Sequence, residues 1–175
     1  MVFDLDETLA HCTFNDGKEK RAESDIFLNI PKKSGGHLQA GFNLKRGFKD
    51  VLIESGKYFE VIVFTASQQD YADAILDHID PDNTIIHHRL YRESCVKEPE
   101  TGIYIKDLRI FDDFDLKDIL LIDNAVYSFS FQIDNGIPII PFKDNRDDDQ
   151  LLKLIDFLPV LADMPDGRAK VRQTF

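Results

Sequence analysis

Short apolar runs alternate along the chain with longer stretches whose apolar residues recur at helical spacing. That alternation predicts strands separated by helices and a largely parallel sheet. Strands are expected over residues 1–4, 60–65, 84–90, 119–123 and 137–141, and helices over 47–55, 69–79 and 148–158. The last helix carries Leu151, Leu152, Leu154, Ile155 and Leu158 at mostly helical spacing, and Asp147 or Asp148 is placed to serve its N-terminus. Between Phe14 and Lys45 the texture changes to an imperfect alternation broken by Lys33-Ser34-Gly35-Gly36, the signature of a hairpin or small sheet inserted after the first strand. No repeat or low-complexity linker divides the rest. The expected architecture is therefore α/β, a Rossmann-like central parallel sheet flanked by helices, with a small β-hairpin or β-sheet insertion at about 14–45. Residues 1–175 read as one domain, and "MPDGRAKVRQTF" reads as an irregular tail or a short docked segment.

Several strands end in polar residues, and in an open parallel sheet ligands bind where the carboxyl ends converge. Asp4, Thr65 and Asp123 each close an apolar run, so the topology brings them to one edge. In "DLDET", Asp4 and Asp6 are two carboxylates that repel unless a cation is shared. Mg²⁺ is a hard cation held by one or two carboxylates together with phosphate oxygens. With it in place, Asp4 is suited to nucleophilic attack on phosphorus and Asp6 to general acid and base work. Thr65 in "VIVFTAS" and Lys106 in "YIKDL" offer a hydroxyl and a point charge for the phosphoryl group, and Asp123-Asn124 in "LLIDNA" offers oxygens for the metal. Each part alone is a weak signal, since isolated acids, threonines and lysines are commonly only solvated. Together, in this order, they form a phosphoryl-transfer set.

These residues resemble the haloacid dehalogenase superfamily, and more closely its Fcp/Scp branch of NLI-interacting-factor-like protein serine phosphatases. The likeness runs through "DLDETL", "FTAS" followed by Tyr71-Ala72-Asp73, "YRESC", "YIKDL", "LIDN" and "DNGIPI". It implies an Mg²⁺-dependent phosphoprotein phosphatase that forms an aspartyl-phosphate at Asp4, with Asp6 as acid and base. Thr65, Lys106 and Arg92 would bind the substrate phosphate. The metal would be held by Asp4, the Asp6 backbone carbonyl and Asn124, with Asp123 beside it. Small members of the branch act on the C-terminal domain of RNA polymerase II, so a phosphorylated protein or peptide is the expected partner. The alternatives are a catalytically weak docking relative and a small-molecule phosphatase of the same superfamily. Against the branch pattern, "LKRGF" stands where "LKRP" is common, "DNAV" replaces "DNSP", and Phe142 stands where many relatives have Trp. Phe14 matches the aromatic of a substrate-proline pocket, but the insertion does not align cleanly with its wall.

Composition adds limits. With 21 Lys and Arg against 32 Asp and Glu, the net charge is −11, which argues against broad binding to nucleic acid or anionic membrane. Lys45, Arg46, Arg89, Arg92 and Lys106 are the candidates for any local basic patch. Cys12 and Cys95 make no disulfide framework, no basic segment precedes a long apolar stretch, and no membrane segment is read. The expectation is an intracellular monomer, nuclear or cytoplasmic. His87-His88 lacks companions at metal-ligand spacing, and Cys12 reads as a small buried hydrophobe.

Overall fold

The computed structural model describes residues 1–14, 24–32 and 34–175. In chain order the elements are β1 (Val2–Phe3), β2 (Ala10–Phe14), β3 (Ile26–Pro31), β4 (His37–Leu44), α1 (Phe48–Ser55), β5 (Ile62–Phe64), α2 (Gln69–Ile79), β6 (His88–Leu90), β7 (Val96–Lys97), β8 (Tyr104–Ile105), β9 (Leu121–Asp123), β10 (Gly136–Pro138), α3 (Gln150–Ala162) and α4 (Gly167–Thr174). A five-stranded sheet runs β10-β9-β1-β5-β6, and all its pairings are parallel. β1 lies in the middle, with Val2 opposite Ile62 on one side and Leu121 on the other.

Because side chains alternate along a strand, the sheet feeds two cores. Phe3, Val63, Ile122 and Ile137 pack with Leu52 of α1, Ile75 of α2, Leu154 of α3 and Val171 of α4. Val2, Ile62, Phe64 and Leu121 turn the other way, toward Leu108, Ile119 and Phe129. Short 3-10 turns, at Leu108–Ile110, Leu116–Asp118 and Val126–Phe129, contribute to this second side, while the α-helices gather on the first.

The insertion starts earlier than its sequence texture shows, at Ala10, and forms a three-stranded antiparallel sheet in the order β2-β4-β3. Ile30, Ala40 and Phe42 join the core that holds Ala72, Ile75 and Leu76 of α2, so the small sheet is packed against the main body. Gly35 and Gly36 supply the positive φ angles of the turn between β3 and β4; Lys33 lies outside the described residues. The Phe14 backbone closes β2, and its side chain is likewise outside them.

Other boundaries also differ. The strand expected over 84–90 is confined to His88–Leu90, because the Asp80 carboxylate gathers the backbone N–H groups of Thr84, Ile85 and Ile86 at 2.9, 3.0 and 2.8 Å. α3 begins at Gln150 rather than at 148, its cap position Asp149 makes no side-chain cap bond, and Asp148 instead accepts from the Gln150 N–H at 3.1 Å. Asp147 takes no part in that start. The tail docks as α4, with Asp166 accepting from the Arg168 N–H and Val171 buried. At the start of α1, Gly47 has φ 79, a conformation closed to proline, which accounts for "LKRGF".

The five candidate cations form no shared basic face. Lys45 and Lys106 are buried, and Arg89 is held by Asp73 and Asp77 at 3.1 and 2.6 Å. His87 accepts the Val61 N–H on Nδ1, a structural role. Among the described residues no helix is long and apolar enough to cross a membrane.

Lys45 sets one prediction. Fully buried, it meets Asp148 at 3.3 Å and donates to the Ile140 carbonyl at 3.1 Å, tying the end of β4 to the approach to α3. Lys45→Ala leaves the Asp148 carboxylate buried without its counter-ion and is expected to cost about 3–5 kcal/mol of unfolding free energy. In urea denaturation, Lys45→Ala/Asp148→Ala should cost clearly less than the sum of the two single changes.

Candidate active site

The site begins where β1 ends. The Asp4 N–H still donates to the Ile122 carbonyl at 2.9 Å, so the sheet fixes the backbone up to the residue whose carboxyl leaves its carboxyl-terminal edge. The chain then turns tightly: the Leu5 carbonyl accepts from the N–H groups of Thr8, Leu9 and Ala10, and Glu7 adopts a left-handed φ of 61°. That conformation is uncommon for a residue with a Cβ. It is held from both sides, by the Glu7 N–H donating to Ala10 and by Phe142 donating to the Glu7 carbonyl, each at 2.7 Å. The turn tucks Thr8 inward. Its buried hydroxyl donates to Asn124 Oδ1 and accepts from the Asn124 N–H, both at 3.2 Å. The last residue of "DLDET" thereby fastens the first loop to the loop after β9.

Lys106 follows β8, and its backbone N–H is anchored on the Ser128 carbonyl at 2.7 Å. Its ammonium lies between Asp4 Oδ1 at 2.5 Å and Asp123 Oδ2 at 2.6 Å, with all three side chains nearly inaccessible. The second Asp123 oxygen accepts from the Ala125 N–H at 2.8 Å. Burial works to lower the Lys106 pKa, but the two carboxylates outweigh it and hold the ammonium protonated. Burial pushes the Asp4 carboxyl up to about 7, opposed by Lys106 and reinforced by Asp123 and Asp6. One ammonium thus faces two carboxyl groups.

Asp6 lies apart from this cluster. Its Oδ2 accepts from the Thr65 hydroxyl at 3.1 Å and the Ser67 hydroxyl at 2.7 Å, and its Oδ1 accepts from the Tyr71 hydroxyl at 2.6 Å. Thr65 also accepts the Ser67 N–H at 3.0 Å, so in this arrangement its proton is given to Asp6. Asp4, Asp6, Lys106, Asp123, Asn124 and Tyr104 all line one cavity of about 330 Å³. Asp6 also lines an adjoining concavity that includes Tyr71, Ser67 and Arg92. Arg92 is fixed at that rim: its Nε donates to the Ala66 carbonyl at 2.6 Å and its guanidinium lies 5.2 Å above the Tyr104 ring. The fold therefore brings Asp4, Asp6, Thr65, Lys106, Asp123 and Asn124 together, with Arg92 at the margin.

The donor set suits a hard cation. Asp4 and Asp123 present buried carboxyl oxygens and Asn124 an amide oxygen beside one cavity. Among the described residues no three His, Cys, Asp or Glu side chains converge as a metal cluster, which matches the sparse protein shell of Mg²⁺, one or two carboxylates with neutral oxygens beside them. The Asp6 carboxylate, engaged with three hydroxyls, does not belong to it.

Two parts escaped the reading of the sequence as chemistry. Ser67 and Tyr71 fell within a quoted motif without a role, though one stands two residues beyond Thr65 and the other on the first turn of α2, on Asp6's side. Cys12 sits against Tyr71, and burial pushes its thiol up to about 11, in keeping with an inert side chain.

The family model described as NLI interacting factor-like phosphatase matches residues 1–168. The chain is 40% identical over its whole length to the CTD small phosphatase-like protein 2 of Dictyostelium discoideum, of which it covers 29%. It is 36% identical over 174 residues, 99% of the chain, to the human carboxy-terminal domain RNA polymerase II polypeptide A small phosphatase 1, of which it covers 63%. It thus spans less than two thirds of these relatives. The fold is similar to the solved structure of fission yeast RNA polymerase II CTD phosphatase Fcp1 bound to beryllium fluoride, with a TM-score of 0.65 and 16% identity over 98% of this chain and 52% of that one.

The Thr8 link can be tested apart from activity. Thr8→Val keeps the shape but leaves the Asn124 N–H without its acceptor, and it should lower unfolding free energy by roughly 1–3 kcal/mol in urea denaturation. Thr8→Ser should recover most of that loss.

Proposed function

The chain belongs to the NLI interacting factor-like phosphatases, and from that premise we propose that it is an Mg²⁺-dependent phosphatase of phosphoserine or phosphothreonine in proteins, working through an aspartyl-phosphate at Asp4. The observation that carries this reading is the placement of Asp4 against Lys106 on one side of a 330 Å³ cavity that Asp6 also lines. Such a cavity accepts a phosphoryl group and presents a nucleophile and a separate proton carrier to it.

In the first half-reaction an Asp4 carboxylate oxygen attacks phosphorus, the bond from phosphorus to the seryl oxygen breaks, and that oxygen takes a proton from Asp6. In the second, Asp6 removes a proton from water, the water oxygen attacks phosphorus, and the bond to Asp4 breaks, releasing inorganic phosphate. When bound, Mg²⁺ would be held by Asp4, the Asp6 carbonyl, Asn124 and Asp123 and would supply positive charge toward the phosphate. Lys106 orients Asp4 and offsets charge on the phosphoryl oxygens. Thr65 binds a phosphoryl oxygen by giving up its present bond to Asp6, which leaves that carboxyl free to serve the leaving oxygen. Arg92, beside Tyr104 at the rim, meets the segment that carries the phosphate.

A peptide substrate suits the shape. Among the described residues the insertion is a small sheet packed onto α2, with Asp6, Tyr71 and Arg92 lining an open concavity beside the cavity. The phosphorylated C-terminal domain of RNA polymerase II is the substrate class to try first, on the strength of the names of the human and fission yeast proteins.

Asp4→Asn should abolish turnover, a loss of at least ~10³-fold, and Asp6→Asn should lower it by roughly 10²–10⁴-fold, the range for general acid–base catalysis. EDTA should silence the wild type, and Mg²⁺ should restore it. Phosphate release from phosphoserine peptides should exceed that from sugar phosphates and nucleotides; the reverse order would refute the protein-substrate reading.

A further inference from the structure

Asp6 is the only carboxylate of the candidate site that meets no cation in the described structure; three hydroxyls hold it instead. Thr65 has to be shared with the phosphoryl group, which leaves Ser67 and Tyr71 as the lasting contacts. We propose that Tyr71, with Ser67, is the positioning residue for the acid–base Asp6, holding its carboxyl toward the leaving oxygen and away from Lys106. The proposal rests on the phosphatase reading above and adds to it a pair of residues with a defined task.

The geometry supports this in three ways. The two contacts are short, 2.6 Å from Tyr71 to Oδ1 and 2.7 Å from Ser67 to Oδ2, and they engage opposite oxygens of the carboxyl. Gripping both oxygens fixes the rotation of the carboxyl plane, which a single bond would leave free. Without that grip the carboxylate is free to turn toward the Lys106 ammonium, which lines the same cavity and is already shared by Asp4 and Asp123.

Second, Tyr71 is itself held. It stands on the first turn of α2, and its ring lies 5.7 Å from that of Phe42, a buried residue of β4. Cys12 of β2 touches it as well. The inserted sheet thus supports the residue that supports Asp6, a function for the insertion beyond bordering the cleft. Burial, with Asp6 beside it, pushes the Tyr71 hydroxyl far up, so it stays a donor at any working pH.

Third, Asp6 lines both the phosphate cavity and the adjoining concavity that Tyr71 also lines, so Tyr71 grips the carboxyl from beside the reaction space. A proton carrier is useful only if it faces the leaving oxygen, and its contribution depends on the leaving group. Seryl alkoxide is strongly basic and needs the proton as the bond breaks, whereas 4-nitrophenolate is a stable anion and leaves without it.

That difference provides the test. Values of kcat/KM, which report the first half-reaction, would be measured with Mg²⁺ for wild type, Tyr71→Phe, Ser67→Ala, Ser67→Thr and Asp6→Asn. The substrates would be 4-nitrophenyl phosphate, phenyl phosphate and a phosphoserine peptide. The expected result for Tyr71→Phe is a loss of about tenfold or more on phenyl phosphate and the peptide, against less than about threefold on 4-nitrophenyl phosphate. Ser67→Ala should show the same selectivity more weakly, and Ser67→Thr should restore it. A parallel fall on all three substrates, in both variants, would show a merely structural role and overturn the proposal, as would no change. Asp6→Asn separates the two levels of the argument. If it shows the leaving-group selectivity and Tyr71→Phe and Ser67→Ala do not, positioning fails and the phosphatase reading stands. If Asp6→Asn lacks it, or folded wild type turns over none of the three, the acid–base reading fails and takes the proposal with it. Thermal melting of each variant guards against misfolding, and Ser67→Ala keeps the test open should Tyr71→Phe fail to fold.

Discussion

One buried ammonium between two buried carboxylates organises this protein. Lys106, Asp4 and Asp123 come from three separate parts of the chain, the loop after β8 and the ends of β1 and β9. Taking such groups out of water costs several kcal/mol for each ion, so the arrangement persists only if the backbone delivers all three accurately. The central position of β1, paired with β5 and β9 in parallel register, provides that delivery for Asp4 and Asp123. For Lys106 the short β7–β8 hairpin and the bond from its N–H to Ser128 do so.

Function and stability pull against each other at this cluster. A core built for stability alone would gain from apolar residues here, since buried ion pairs are often no better than a well-packed hydrophobic replacement. Keeping charged groups here instead leaves hard oxygen donors on the wall of a polar cavity. Around that charged centre the loops are tied by uncharged donors: Thr8 to Asn124, the Phe142 N–H to Glu7, and Ser67 and Tyr71 to Asp6. These keep the polar side chains in place without adding charge to an already acidic region.

The family likeness and the geometry inform different questions. Membership follows from a match over nearly the whole chain. The likeness to Fcp1, at 16% identity, speaks to the fold. Neither says how Asp6 is held, and that detail comes from side-chain distances alone. The insertion also gains meaning from its contacts, since Phe42 and Cys12 brace Tyr71 and so reach the site through α2.

Much of this was legible in the sequence, for a physical reason. Period-two and period-3.6 patterns report which faces are buried, and here they located the main sheet strands and α2 at Gln69–Ile79. Polar residues closing apolar strands report the ligand-binding edge, so Asp4, Thr65, Asp123 and Asn124 could be found as a group. What local pattern could not decide was where partners distant in the chain intervene. Asp80 drew Thr84, Ile85 and Ile86 out of a strand their composition favours. Lys45, which read as part of a basic patch, and Lys106, which read as a charge for phosphate, were both buried by carboxylates that only the fold brings near. The sequence by itself determined the sheet, its binding edge and the chemical types gathered there, because those depend on short-range periodicity and residue chemistry. Tertiary structure alone decided the partners and aim of each group, with Lys106 given to Asp4 and Asp123 and Asp6 held by Ser67 and Tyr71, because burial and long-range hydrogen bonds exist only once the chain has closed.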